Sequence, residues 1–175
     1  MGDVVEAHRR AFDGFTRAVA AAEGRWGSPT PCTEWDARAL LEHVIGFHDV
    51  LLLRPLDAKP TRPKDDPAAR WAITVDAVLC ALAPPGVVDA ERSSLVGVLT
   101  TDVLVHTWDL SRAVGTDVRL DPELCAVGLE RARANVGRLA ASGMFGAPVP
   151  VDDASPVEAK LLAIFGRDPE WAPPS

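Results

Sequence analysis

The stretch Leu95-Val-Gly-Val-Leu-Thr-Thr-Asp-Val-Leu-Val-His-Thr-Trp-Asp-Leu110 is an apolar run that contains an acid and a histidine four residues apart. At about 100° per residue, Asp102 and His106 lie within about 40° of each other on one face of a helix. The same face carries three apolar residues, Leu95, Leu99 and Ala113. This pattern predicts that the face is buried, where a carboxylate and an imidazole are costly unless a partner compensates them.

A second histidine interrupts another apolar run, Leu40-Leu-Glu-His-Val-Ile-Gly-Phe47. If His43 meets Asp102 and His106 from a facing helix, the three side chains form a facial set of two nitrogens and one oxygen. Such a set holds a divalent metal and leaves coordination positions open, which is typical of catalytic sites. Taken singly, an Asp–His pair at this spacing is more often a contact on a partly exposed helix face, and a histidine such as His43 is more often a core residue than a metal ligand.

The remaining polar residues near this predicted site have less certain roles. His48 lies roughly 140° around the helix from the predicted ligand and is expected at the rim or surface. His8, on the first helix, could enter a site at the bundle centre, although nothing in its context favours this. Asp109 either orients the His106 imidazole as a hydrogen-bond acceptor or forms a surface pair with Arg112.

Tryptophans and cysteines flank the same segments. Trp35 and Trp108 are expected to pack in the core or at an interface. Cys32 follows Pro31 in a loop and has no visible cationic partner, so an inert thiol is favoured over a reactive one. With Cys80 and Cys125 it makes an odd number of widely spaced cysteines, read as mostly buried free thiols of a cytoplasmic protein.

Residues that favour helix starts and helix ends occur along the whole chain. Asp66-Pro67 and Asp121-Pro122 each combine an N-cap with proline at the first helical position, and Gly24 and Gly115 end helices. Thr33-Glu-Trp-Asp36 resembles a capping box. The predicted helices run from Val4 to about Ala22, Thr33–Asp36 to about Leu53, Asp66 to about Ala83, about Glu91 to Val114, Asp121 to about Ala141, and Ser155 to Gly166.

Composition limits the classes of protein to consider. The 175 residues fit one domain, residues 1–175, and the net charge of −7 argues against nucleic-acid binding. Neither an N-terminal signal segment nor an apolar stretch of membrane-spanning length is present in the sequence. A polar link over Arg54–Asp66 suits a helical bundle with a crossover connection, so the predicted fold class is all-α.

Several motifs together resemble a known family. They are Pro31-Cys-Thr-Glu-Trp-Asp36, Leu41-Glu-His-Val-Ile-Gly46, Thr101-Asp-Val-Leu-Val-His-Thr-Trp-Asp-Leu110, Phe145-Gly-Ala-Pro-Val149 and Gly166-Arg-Asp-Pro-Glu-Trp171. In this order they resemble small actinobacterial proteins related to the metal-binding domain of mycothiol-dependent maleylpyruvate isomerase, within the DinB/YfiT-like superfamily.

The resemblance implies a DinB-like four-helix bundle with an additional short C-terminal helix and a divalent metal, most often zinc or nickel. The isomerase-type ligand set falls on His43, Asp102 and His106. Asp102 stands where the isomerase has a glutamate and is one methylene shorter. The isomerase has a further C-terminal domain without a counterpart in this sequence, so isomerase activity itself is not expected.

Three functions follow as hypotheses. The first is a metal-dependent transferase or isomerase-like enzyme that activates a small thiol such as mycothiol for attack on a small electrophile. Water in the open coordination position would instead make the protein a hydrolase. The others are a non-catalytic metal- or ligand-binding bundle and a structural bundle with a satisfied polar cluster. Homodimer formation stays open.

Overall fold

The computed structural model describes residues 4–138 and 145–173, and the regular elements within them are all helical. The helices are α1 (Val4–Ala21), α2 (Ala37–His48), α3 (Pro67–Leu82), α4 (Ala90–Ala113), α5 (Pro122–Ala134) and α6 (Val157–Ile164). Extended pairing among these residues is limited to one isolated bridge, between Pro29 and Asp36. The all-α prediction is confirmed. The fifth helix ends at Ala134, with Asn135 as its C-cap, instead of running unbroken to about Ala141, which itself lies outside the described residues.

Four of the helices enclose the core. Helix α1 packs against α3 and α4, and α2 packs against the same two helices; α5 then covers α4 from outside, with α6 against α5. Helix α4 is therefore surrounded, and every residue from Leu99 to Ser111 is buried. Threonines satisfy their hydroxyls inside this helix by donating to the carbonyl four residues earlier, as Thr100 does to Val96 at 2.7 Å.

The helix starts follow the sequence signals, with one correction. Asp66 accepts from the Ala69 amide at 2.9 Å and Asp121 from the Glu123 amide at 3.0 Å, each just before a proline. The predicted capping box at Thr33 is wrong. Asp36 itself is the N-cap of α2 and accepts from the Ala39 amide at 2.8 Å, because the preceding loop folds back through the bridge to Pro29.

Two glycines near helix ends are required by the backbone. Gly115 follows α4 with φ of 65° and Gly166 follows α6 with φ of 75°, in the left-handed region that favours glycine. A Cβ on Gly166 would also lie 2.8 Å from the Gly146 carbonyl carbon. This close approach joins the loop after α6 to the segment around Gly146.

The crossover connection contacts the bundle where the α-helix α2 gives way to a π-helical turn. Helix α2 continues into a π-helical turn over Asp49–Leu53. Asp49 is buried there and receives two hydrogen bonds from Arg62 of the crossover, at 2.9 and 2.8 Å. Since Arg62 also donates to Thr74 on α3 at 2.8 Å, one guanidinium ties the crossover to both helices that it connects.

Two further observations bear on the sequence predictions. In the part of the chain that the structure describes, no helix is long and apolar enough to cross a membrane.

The expectation of mostly buried cysteines is wrong: Cys125 is buried, but Cys32 is half-buried and Cys80 is exposed. Burial raises the pKa of the Cys125 thiol to about 12, with a smaller contribution from the Glu158 and Asp121 carboxylates.

Candidate metal centre

The structure brings His43, Asp102 and His106 together. Asp102 Oδ1 lies 3.5 Å from His106 Nε2 on α4 and 3.8 Å from His43 Nε2 on the facing helix α2. The candidate ligand atoms of the three residues all lie within 4.8 Å of one another. The side chains of Asp102 and His106 are 6% and 3% exposed, whereas His43 is 30% exposed and is the one of the three most open to solvent.

One oxygen of this cluster lacks a partner. Asp102 Oδ2 is buried and makes no hydrogen bond with any residue that the structure describes. An unsatisfied carboxylate oxygen in the interior is costly, and a cation is the ligand that compensates it best. Two atoms bound at about 2.1 Å to a tetrahedral ion are roughly 3.4 Å apart, close to the separations observed between Asp102 and the two imidazoles. The residues therefore fit a divalent metal.

Aromatic side chains fix the orientation of His43. Its ring stacks on Trp35 with centroids 4.5 Å apart and on Phe47 with centroids 5.4 Å apart. Trp35 is therefore a packing residue, as expected, and the residue that it packs against is His43 of the candidate site. The three candidate ligand residues line a cavity of about 520 Å³, which we call the main cavity, and Trp35 and Phe47 line it beside them. A small molecule has direct access to the cluster.

Asp109 lies behind His106 and holds its ring. His106 Nδ1 donates to Asp109 Oδ2 at 2.9 Å, which directs Nε2 toward Asp102. Asp109 is fully buried and paired with Arg167, whose Nη2 donates to the same oxygen at 2.8 Å. Of the two roles considered for Asp109, the orienting one is therefore observed. The surface pair with Arg112 is not formed, because Arg112 donates instead to the Pro169 carbonyl.

The prediction that Cys32 has no cationic partner is wrong. Arg167 Nη2 donates to Cys32 Sγ at 2.8 Å, and the thiol donates to Asp109 Oδ2 at 3.3 Å. Cys32, His106 and Asp109 thus form a second group whose ligand atoms lie within 4.8 Å of one another. In this group, however, Asp109 is already neutralised by a buried guanidinium, so it is the weaker candidate for a cation.

The charges in the cluster depend on one another. Burial alone would raise the pKa of Asp102, but the adjacent His106 and His43 imidazoles outweigh burial and lower it. Burial alone would lower the pKa of His106, but the Asp102 and Asp109 carboxylates raise it well above its usual value. Protonation of the His106 ring and binding of a cation at Nε2 would therefore compete.

The placement expected for His48 at the rim or surface is wrong. His48 is fully buried, donates from Nδ1 to the Val44 carbonyl at 2.7 Å, and has Nε2 3.2 Å from His8 Nε2. His8 in turn contacts the Thr100 hydroxyl at 2.9 Å. The rotation away from His43 was predicted correctly, but it directs His48 toward α1 and the core rather than toward solvent.

Comparison with known proteins places the chain beside two proteins of Mycobacterium tuberculosis. These are uncharacterized protein Rv0738 of strain ATCC 25618 / H37Rv and uncharacterized protein MT0763 of strain CDC 1551 / Oshkosh, each 35% identical over 179 residues. The match covers 94% of this chain and 98% of each relative. The chain belongs to the family of these two proteins. No family model matches the sequence, and no solved structure matches the chain.

Sequence reasoning missed Arg167 as part of the site. It lies 58 residues from Asp109 and 135 from Cys32, so no helical period connects it with either residue. The available signal was the Gly166-Arg-Asp-Pro-Glu-Trp171 motif, in which an arginine follows a helix-ending glycine. That signal marks a position of interest but does not say which carboxylate the arginine meets.

Proposed function

We propose that this protein binds one divalent metal, zinc or nickel, through His43, Asp102 and His106, on a DinB-like helical bundle. The observation that carries this proposal is that the buried Asp102 Oδ2 has no hydrogen-bond partner among the described residues, in a carboxylate that lies near two imidazoles. Asp109 and Arg167 support it, since a metal-binding histidine commonly donates its other ring nitrogen to a carboxylate.

The reaction that we propose is thiol-dependent transfer, or an isomerase-like addition, on a small electrophile. A bound divalent metal supplies Lewis acidity, which lowers the pKa of a coordinated thiol or water toward neutrality. The chain contributes the rest: Asp109 fixes the His106 ring, Trp35 and Phe47 fix the His43 ring, and the main cavity leaves about 520 Å³ for thiol and substrate. A low-molecular-weight thiol such as mycothiol is the co-substrate that the family resemblance implies.

The test measures metal first and thiol-dependent turnover second. Protein purified without an affinity tag is assayed for zinc and nickel by elemental analysis, beside Asp102→Asn and the control Asp76→Asn, which makes the same change on the exposed face of α3. We expect stoichiometric metal in wild type and Asp76→Asn and a large loss in Asp102→Asn, because the carboxylate charge is removed while the side-chain shape is kept.

The metal-loaded protein is then incubated with mycothiol and an electrophile such as 1-chloro-2,4-dinitrobenzene. Thiol consumption above the Asp102→Asn rate supports the transferase. Metal-dependent ester hydrolysis without any thiol would favour the hydrolase instead. Bound metal without either reaction would favour a non-catalytic binding protein. If wild type binds no metal even after zinc is added back, the proposed metal site itself is contradicted.

A further inference from the structure

A second cavity, of about 280 Å³, lies between α4 and α5. We call it the side cavity. Its walls include Val98, Val105, Ala132 and Phe165, and it shares Phe47, Asp102 and Phe145 with the main cavity. Both spaces therefore border Asp102 of the candidate metal centre. Concave apolar spaces with a few convergent polar groups are the usual sites for small ligands.

The side cavity has a cationic end. Arg131 on α5 lines it and reaches across to α4, where Nη1 donates to the Ser94 carbonyl at 3.3 Å. Its Nε is buried and has no hydrogen-bond partner among the described residues. A Cβ on Gly97 would lie 2.2 Å from Arg131 Nη2, so glycine at this position is what lets the guanidinium lie against α4.

The cationic end and the metal centre lie at opposite ends of one α4 face. Ser94, beside Arg131, and Asp102 are eight residues apart, which is about 12 Å along the helix. Asp102 is the one acidic residue among the described residues that line the side cavity. The charge pattern therefore favours an anion at the Arg131 end, and the lining between the two ends favours hydrocarbon. Val98, which is 43% exposed, stands at the rim.

We infer that the side cavity binds the chain of an apolar carboxylate, with the carboxylate at Arg131 and the opposite, electrophilic end toward Asp102. This assignment rests on the proposed function for its chemistry and names the substrate class: medium-chain carboxylic acids that carry an electrophilic group away from the carboxyl. A carboxylate in the side cavity would meet the Arg131 guanidinium that lines it, and charge-assisted hydrogen bonds of this kind are the stronger ones.

The test uses octanoate, an unreactive probe, titrated by calorimetry into protein freed of metal with a chelator, so that carboxylate–metal binding cannot contribute. Two valine-to-tryptophan variants are compared: Val98→Trp at the cavity rim, and Val127→Trp on α5, where the native valine is 55% exposed. Arg131→Met removes the proposed carboxylate partner, and Arg133→Met is its exposed control. Octanamide replaces octanoate to remove the ligand charge.

We expect octanoate to bind wild type, Val127→Trp and Arg133→Met alike, and to bind Arg131→Met at least about tenfold more weakly, which is the value of one charge-assisted hydrogen bond. Val98→Trp should also weaken octanoate binding, because the indole would occupy space at the cavity rim. Octanamide should bind wild type more weakly than octanoate and be insensitive to Arg131→Met. Equal octanoate affinity of the two tryptophan variants, equal affinity for the two probes, or no binding to wild type would overturn the inference.

The two proposals fail separately in this design. Octanoate binding that follows the expected pattern in a protein that takes up no metal would retain the side-cavity assignment and remove the metal-dependent reaction. Stoichiometric metal without octanoate binding would retain the proposed metal site and overturn the side-cavity assignment. If Arg131→Met lowers the melting temperature so far that it cannot be titrated, the Val98→Trp and Val127→Trp pair still decides whether the cavity is the binding site.

Discussion

Replacing Arg167 with methionine is expected to destabilise the protein by about 3–5 kcal/mol, because the fully buried Asp109 carboxylate would lose the guanidinium that pairs with it. Removing one partner of a buried ion pair leaves an uncompensated charge in the interior. Urea unfolding of the metal-free protein, followed by circular dichroism, measures the change in the free energy of unfolding. Arg9→Met, which breaks an exposed pair with Glu6 on α1, is the control and should change little.

The double variant Arg167→Met, Asp109→Asn separates charge from packing. A neutral asparagine can still accept the hydrogen bond from His106 Nδ1, and it no longer needs a cation. We therefore expect the double variant to regain a large part of the stability lost in Arg167→Met. If it is no more stable than Arg167→Met, the guanidinium acts through its hydrogen bonds to the Phe165 carbonyl and the Cys32 sulfur rather than by neutralising Asp109.

His106→Ala is expected to weaken zinc affinity by more than about 100-fold, since loss of a partner that merely orients a ligand already costs 10- to 100-fold. The proposed metal site would lose the Nε2 nitrogen of His106, and Asp102 would lose one of its two adjacent imidazoles. Competition with a chromophoric zinc chelator at fixed pH measures the affinity. The pH must be held constant because protons compete with the metal for imidazole nitrogens.

His48→Ala is the matched control on the neighbouring helix. The removed imidazole is fully buried and contacts His8 Nε2 at 3.2 Å, so the variant should lose about 2–4 kcal/mol of stability through the cavity and the unpaired ring. Its zinc affinity should stay close to that of wild type. Loss of zinc in His48→Ala with retention in His43→Ala would reverse the ligand assignment.

The sequence was sufficient where a feature depends on local chemistry. The caps at Asp66 and Asp121 were read correctly because a cap bonds to amides two or three residues away. The approach of Asp102 to His106 follows from helical period alone. Bringing His43 to the same point required only that two apolar helix faces pack together, which burial of α2 and α4 enforces.

The sequence was insufficient where contacts join distant segments. Periodicity gives the direction of His48 relative to its own helix but not which element covers it, so its burial against α1 was missed. Arg167, Cys32 and Asp109 come from the chain end, a loop and α4, and no repeating pattern links them. The π-helical turn likewise places the buried Asp49 against Arg62 of the crossover, a contact that no helical period indicates.

The most direct measurement is an anomalous-difference map from a crystal of the zinc-loaded protein, with data collected on both sides of the zinc absorption edge. We predict one strong peak in contact with His43 Nε2, His106 Nε2 and the Asp102 carboxylate, and no sulfur ligand. A peak bonded to Cys32 Sγ and Asp109 instead, or no peak at either cluster despite zinc in the crystal, would contradict the account.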